Sequence, residues 1–568
     1  MKTGWFFDKV TSYLILALVF VLFTSGLLLG YTGRVRSAGP YVVNVSGDGP
    51  DSDTTDGICY WEGHGCSLRA AIEQASADGA PTSITFLGTL AYSTIYLDST
   101  YGAIFWTGND IIVAGESNNI TISGEYLAPG QSIILISGNG NTIQNLNIKD
   151  SPWDGVGVGD FSLLGAGNNN VIKGNSIIGS TASGVYFYGG GSGGGHDNAL
   201  IGNLIGNTSP STPVCVPSEA NQDGVYAGGV TLTNIITGNL ITCNNQNGIH
   251  LVNSSHFEIT ANKIGTDGVH HLGNGTNGVL IEGAASQFNV IGGNSASSQN
   301  VISGNGNNGV MLNSAPDNTV KSNLIGLNEY GDDPINNQWA GVAVENSSNN
   351  TKIGYLLPSN LYISGNLREG IYAANSSNLV VGDSTLIGRR LDGSPAGNSL
   401  EGIKLDSGVT GAIINPGTVA YNGGAGIGSA ARNLFLPWYI FQNGGLPIDL
   451  DFDGHTPNDA GGAGLGADGW LDFPVVTSVN GQLITGISCP NCRVYIRPAV
   501  GNPAANGGGY DGNYGYVNAN GSGVWSFSLP EGVNLGMATL FAEGPLGSGF
   551  ETSELSPRPV IYLPIVKK

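Results

Sequence analysis

The chain is short of charge, and of positive charge above all. Only 11% of its 568 residues are charged, and 20 Lys and Arg stand against 42 Asp and Glu, a formal net charge of −22 at pH 7. Phosphate contacts need Lys and Arg, so nucleic acid is excluded as a partner. An acidic polysaccharide is repelled on average unless metal ions bridge it, and an acidic exterior is most simply a means of staying soluble. Helical periodicity is nearly absent after the N-terminus, which excludes helix bundles and βαβ arrays. Leucine is too sparse and helical segments too few for leucine-rich repeats, and the four-stranded antiparallel blades of a propeller are missing. Beyond residue 29 no apolar run could span a bilayer, so any membrane contact is confined to the N-terminal segment.

What is abundant is glycine, 92 residues of it, with Asn, Ser and Thr supplying most of the polarity. This is not the composition of disorder, because 40% of residues are apolar and they recur in short β-branched runs. A chain of this length exceeds one compact core, but a repeat architecture escapes that limit by burying each repeat against its neighbours.

A repeat is present. Glycine, a β-branched residue, a variable residue and an apolar residue return as Gly155-Val156-Gly157-Val158, Gly184-Val185-Tyr186-Phe187, Gly224-Val225-Tyr226-Ala227 and Gly248-Ile249-His250-Leu251. They return again at Gly278, Gly309, Gly341, Gly370 and Gly402, with successive glycines 24 to 40 residues apart. Between them lies Asn-x-Ile-x-Gly-Asn, clear at Asn170–Asn175, Asn198–Asn203, Asn234–Asn239 and Asn300–Asn305, and looser at Asn318–Asn323. Each half alternates apolar and polar residues as a strand with one buried face does, and Gly and Asn punctuate the turns because they tolerate positive φ. Short strands in every repeat, with no helix between them, predict an all-β fold: a right-handed parallel β-helix. The recurrent Asn residues are expected to form ladders at the turns, each amide bonding to the next coil.

The first coil needs a lid, because an open end would expose core and unpaired strand edges. Ser67 to Ala77 suits that task, with Ser67 as cap and Leu68, Ala71, Ile72 and Ala75 as one apolar face. The expected organisation is therefore an export segment over 1–40, a β-helix with its cap over 41–440, and an Asp/Gly-rich linker over 441–472. A small Ig-like β-sandwich over 473–557 and a tail over 558–568 complete it. Within the first segment, Lys2 and Lys9 precede an apolar run from Tyr13 to Leu29, followed by Arg34 and Arg36. The run is long for a signal peptide, and Arg36 sits where a cleavage site wants a small residue, so an uncleaved N-terminal anchor is slightly preferred to a cleaved signal. Either places the chain outside the cell or on its surface. The six cysteines fall into local pairs, Cys59/Cys66, Cys215/Cys243 and Cys489/Cys492, expected to be disulfides in an exported chain. A redox role for Cys489-Pro490-Asn491-Cys492 would need a βαβ context that is missing.

At Cys66-Ser67-Leu68-Arg69-Ala70-Ala71-Ile72-Glu73-Gln74-Ala75, followed by Ile84-Thr85-Phe86, the sequence resembles the CSLREA-domain family, with Ala70 where the family motif has Glu. The segment Ile448 to Asp459 is similar to the one joining β-helix to C-terminal sandwich in such proteins. The resemblance implies an exported bacterial protein with a right-handed β-helix body. It implies no chemistry, since the family has no agreed activity.

Candidate sites follow from the repeat. The variable position should point outward, and it holds Tyr186, Tyr226, His250, Leu280, Met311, Ala343, Tyr372 and Lys404 in successive coils. With coils about 4.8 Å apart, Tyr186, Tyr226 and His250 are expected to form one platform for sugar rings, with Tyr372 further along. The competing reading is that these side chains simply stabilise the sheet. Calcium is the candidate cofactor, in a structural role: Asp449, Asp451 and Asp453 alternate before Gly454, and Asp459 or Asp468 would complete an oxygen shell. Acidic residues recur just after the strand at Glu282, Glu345 and Asp406, a conceivable glycosidase pair but ordinarily solvated turn residues. Gly63-His64-Gly65 and Asp332-Asp333 lack the context that polygalacturonase-like enzymes have, His270-His271 lacks metal-ligand spacing, and no Lys or Arg clusters with Asp as a lyase would need. The sequence therefore favours a non-enzymatic cell-surface protein for adhesion, envelope structure or glycan binding, with a polysaccharide or envelope polymer as partner. The second reading is a polysaccharide lyase or glycoside hydrolase acting on the β-helix face.

Overall fold

The computed structural model describes residues 39–161, 166–190, 194–206, 213–355, 359–455, 457–458, 471–501, 508–544 and 552–557. The expected export segment up to residue 38 and the tail from 558 lie outside them. Among the described residues no helix is long and apolar enough to cross a membrane.

Each turn of chain lays one strand on each of three parallel stacks. One is a 14-stranded sheet from Tyr41–Val43 to Leu434–Phe435, and the second a 13-stranded sheet from Ile104–Trp106 to Ile448–Leu450. The third runs from Thr94–Tyr96 to Tyr439–Phe441. This is a parallel β-helix. Register is kept coil after coil: Val185 pairs with Val225, then Ile249, Val279, Val310, Val342, Ile371 and Ile403. All of these side chains are fully buried, so the β-branched position forms one continuous spine of the core.

The corner glycines have a steric reason. A Cβ on Gly184, Gly224 or Gly248 would lie 2.6–2.7 Å from the carbonyl oxygen of the next coil's glycine. Beside these corners the asparagines stack. Asn203 Nδ2 donates to Asn239 Oδ1 at 3.0 Å, Asn239 to Asn262 at 3.0 Å, Asn262 to Asn300 at 3.1 Å and Asn300 to Asn323 at 2.9 Å. A longer ladder, only partly visible in the repeated motif, climbs from Asn221 through Asn244, Asn274, Asn305, Asn337, Asn366, Asn398 and Asn422 to Asn443. Each amide also reaches a backbone carbonyl, as Asn239 does with Leu200, which satisfies polar groups that would otherwise be buried unpaired.

At the N-terminal end the helix Leu68–Asp78 closes the core. Ser67 Oγ accepts from the Ala70 amide at 3.0 Å, and Gly79 ends the helix in the left-handed region. Arg69 is 4% exposed and is held by both Asp48 carboxylate oxygens at 2.8 Å and by the Gly102 and Ala103 carbonyls.

The C-terminal end departs from expectation. The solenoid runs on to Leu450, so the presumed linker from 441 begins inside the last coil. The break was misplaced because Pro447 occupies the corner that glycine holds elsewhere: its carbonyl accepts from Ile427 as that of Gly248 accepts from Val225. Beyond it lie two antiparallel sheets. One comprises Val475–Asn480, Leu483–Ile487 and Val524–Ser528, and the other Arg493–Val500, Gly509–Asp511, Gly515–Asn518 and Ala538–Glu543. The second is joined to the solenoid, because Gly509–Asp511 pairs antiparallel with Tyr439–Phe441 of the last coil. Tyr495, Tyr510 and Phe541 share the solenoid's core, and Tyr510 Oη donates to Pro437 O at 2.7 Å. The three expected disulfides are formed: Cys59–Cys66, Cys215–Cys243 and Cys489–Cys492.

Candidate functional site

The variable position of the repeat is turned away from the core on the second sheet. Gly157, Tyr186, Tyr226, His250, Leu280, Met311, Ala343, Tyr372 and Lys404 follow one another in register. Two glycines make room for the rings. A Cβ on Gly157 would come 3.0 Å from the Phe161 ring, and one on Gly228 would crowd the Tyr186 hydroxyl at 3.1 Å and the Tyr226 ring at 3.3 Å.

The expected flat platform does not form. Tyr186 and Tyr226 meet edge to face, centroids 5.2 Å apart at 72°, and Tyr226 meets His250 at 5.1 Å and 84°. Edge-to-face packing is what ring quadrupoles prefer at this spacing. A parallel pair lies one column over, where Tyr188 stacks on Phe161 at 5.3 Å and 5°. Tyr188 in turn meets Tyr186 edge to face at 5.4 Å. The sequence reading missed Phe161 and Tyr188, although Tyr188 stands two residues beyond Tyr186 and so on the same strand face.

His250 is an ion-pair hub and not a stacking surface. Its Nδ1 lies 3.2 Å from Asp223 Oδ2 and its Nε2 3.0 Å from Glu282 Oε1. Burial pulls its pKa down, but hydrogen bonds and charge from Asp223 and Glu282 outweigh burial and raise it above the usual histidine value. With a carboxylate at each nitrogen the ring ties three successive coils together. Neither nitrogen is left over to act as a general base. Burial, followed by the nearby Tyr226, Tyr188 and Asp154, raises the Tyr186 phenol; burial, then Asp223 and Glu282, raises Tyr226. Both remain neutral donors at physiological pH. Asp154 was also missed. It is buried, accepts from the Ser183 amide at 2.9 Å, and is pushed up to about 6 by desolvation.

Tyr372 stands four coils beyond His250 in the same column and belongs to a separate cluster. Its hydroxyl donates to Asp406 Oδ2 at 2.6 Å, and Glu345 is raised by burial and by the Asp406 charge. Lys404 Nζ lies 4.0 Å from Asp406. On the adjacent edge, Trp339 is 50% exposed and carries the Arg368 guanidinium 4.4 Å above its ring, a pair that no repeat signal foretold. Arg368 Nε lies 3.6 Å from Glu369. Glu282, Asn313, Glu345 and Ala374 are partners in register, so Glu282 and Glu345 sit two coils apart and not on adjacent ones.

The other expected residues are dispersed. Among the described residues no three His, Cys, Asp or Glu side chains are arranged to hold a metal ion, but Asp459 and Asp468, which the expected calcium shell includes, lie outside them. Asp449 accepts from the Gly454 amide, and Asp451 and Phe452 turn the backbone through positive φ. His64 stacks on Trp61, His270 pairs with Asp267 at 2.7 Å, and Asp333 faces Arg390 at 3.5 Å.

No protein-family profile matches the chain, and no curated protein does. Solved structures match in architecture. A periplasmic alginate epimerase is 16% identical over 65% of this chain and 75% of its own, with a TM-score of 0.39. The A-module of an Azotobacter vinelandii mannuronan C-5 epimerase is 15% identical over 67% and 92%, with a TM-score of 0.37. A tailspike protein is 12% identical over 91% and 94%, with a TM-score of 0.36. The likeness is one of fold and says nothing of this chain's chemistry.

Proposed function

We propose that this is an exported protein that binds a polysaccharide on the outer face of its second sheet and does not cut it. The observation that carries the reading is the packed ring surface of Phe161, Tyr188, Tyr186 and Tyr226, aromatic yet edged by hydroxyl and carboxylate groups, a combination suited to pyranose rings. The non-catalytic part rests on what the polar groups are already doing. His250 has both nitrogens engaged, the phenols are held protonated, Glu282 and Glu345 are two coils apart, and Asp406, the third candidate, already accepts from the Tyr372 hydroxyl. Export is supported by three disulfides, which persist in oxidising compartments.

The test is retention of purified residues 39–568 on a panel of immobilised plant, algal and bacterial polysaccharides, with released oligosaccharides followed by mass spectrometry. Binding without products, lost in Tyr188→Ala and Tyr226→Ala, is the expected outcome. Products from any polymer would favour the lyase or hydrolase reading. Neither binding nor products would end the glycan reading altogether.

A further inference from the structure

The second sheet carries two ring clusters on one line. Tyr226 and His250 lie at one end, Tyr372 with Trp339 and Arg368 at the other, and the positions between are Leu280, Met311 and Ala343 in unbroken register. Four coil steps separate His250 from Tyr372, on the order of 19 Å at the usual strand spacing. The line follows the solenoid axis, whereas across the sheet the outward face is only a few side chains wide. Leu280 and Met311 are half-buried and Ala343 is buried, so this column is apolar, while the next outward column on the same strands carries Glu282, Asn313 and Glu345.

Both ends are acidic on balance. At one end two carboxylates, Asp223 and Glu282, flank the single His250 ring. At the other, Glu345, Glu369 and Asp406 outnumber Lys404 and Arg368. A uronate polymer would bring its carboxylates against these groups, which at short range is strongly unfavourable.

We propose that the two clusters are subsites for one strand of an uncharged polysaccharide, lying parallel to the solenoid axis and spanning both. This rests on the glycan-binding reading above and adds to it the direction of the strand, its charge class and a minimum length. A pyranose unit is about as long as one coil is tall, so successive sugars would keep step with the coils on the way from one cluster to the other. Each cluster alone binds weakly. A strand long enough to reach both turns the second contact into an intramolecular one, with a gain in affinity of at least tenfold, set conservatively below the roughly 10²–10⁴-fold range of linked binding.

The experiment uses the intact exported chain and neutral glucan, mannan and galactan oligosaccharides from disaccharide to decasaccharide, with oligogalacturonates of the same lengths, each titrated by calorimetry. The expected result is weak binding of short neutral oligomers and a step of tenfold or more once they span four coils. Trp339→Ala and Tyr226→Ala should each remove the step, each leaving only the weak short-oligomer binding of the other cluster. Far-UV circular dichroism and unfolding temperature serve as fold controls. Binding that depends on Tyr226 but is flat with length, or a step that survives Trp339→Ala, overturns the bridging proposal and leaves the glycan reading in place. Tighter binding of oligogalacturonates overturns the assignment to uncharged sugars. No binding of any series overturns both readings.

Discussion

The two ends of the solenoid are closed by different means. At the N-terminal end a single helix, Leu68–Asp78, lies against the first coils, fixed by a serine cap and by Arg69 on Asp48. At the C-terminal end the closing element is another sheet, hydrogen-bonded to Tyr439–Phe441 and sharing one core with the last coils. The first lid is local in sequence and polar at its anchor. The second comes from far along the chain and is anchored by Tyr510 and Phe541. An exposed strand edge invites pairing with other chains, so both ends need closure, but only the C-terminal lid supplies actual strand partners to do it.

The largest effect expected from testing this difference is at the C-terminal end. Deleting residues 473–568 should make the protein aggregate relative to the intact chain, read by light scattering, because it bares Tyr439–Phe441 and the core around Phe435 and Ile440. A soluble monomeric truncation would show that the sheet is an appendage and not a lid. Next comes Asp48→Ala, which strands the Arg69 charge in the cap and should cost about 3–5 kcal/mol in chemical unfolding. A loss below about 1 kcal/mol would mean that water reaches the guanidinium. In the middle of the solenoid, away from either lid, Asn239→Ala removes both the donor to Leu200 and the link between Asn203 and Asn262. It should cost about 2–3 kcal/mol, between the cap mutation and a surface change.

The smallest effect is one of pH, at His250. Its pKa is raised in the folded chain, so the stability its pairing supplies is fully present below the unfolded histidine value of about 6.5 and is lost as pH rises through the folded value. The unfolding temperature of the natural protein should therefore exceed that of His250→Gln most at acid pH, with the gap closing as pH rises. A gap that widens with pH would mean the ring is neutral and donates from one nitrogen only.

The fold was largely legible because its repeat is enforced by sterics. A corner glycine cannot be replaced without striking the next coil, and a ladder asparagine cannot be replaced without orphaning a carbonyl, so both leave a periodic trace. The solenoid's last coil escaped because Pro447 stands in for that glycine. The binding face was legible only in part. One column, Tyr186, Tyr226 and His250, followed from strand alternation. Phe161 did not, since loop length varies from coil to coil and nothing in the spacing says which loop residue folds back over the sheet; Asp154 stands directly before the repeat glycine, as Ser183 and Asp223 do in the next coils, and its position could have been read from the repeat. Ring orientation was likewise out of reach. The pairing of His250 with Asp223 and Glu282 joins residues of three coils whose mutual register only the folded chain reveals.

The unbroken register has a consequence for how such a chain can change. Because every coil pairs in step with the next, length can be gained or lost only in whole turns: duplicating residues 248–277 would insert one complete layer, whereas a single residue added within a strand would turn a buried side chain outward. The separation between Tyr226 and Tyr372 is thus quantised. The molecule is a ruler with one graduation per turn, and its descendants can be longer or shorter by a graduation but not by a fraction of one.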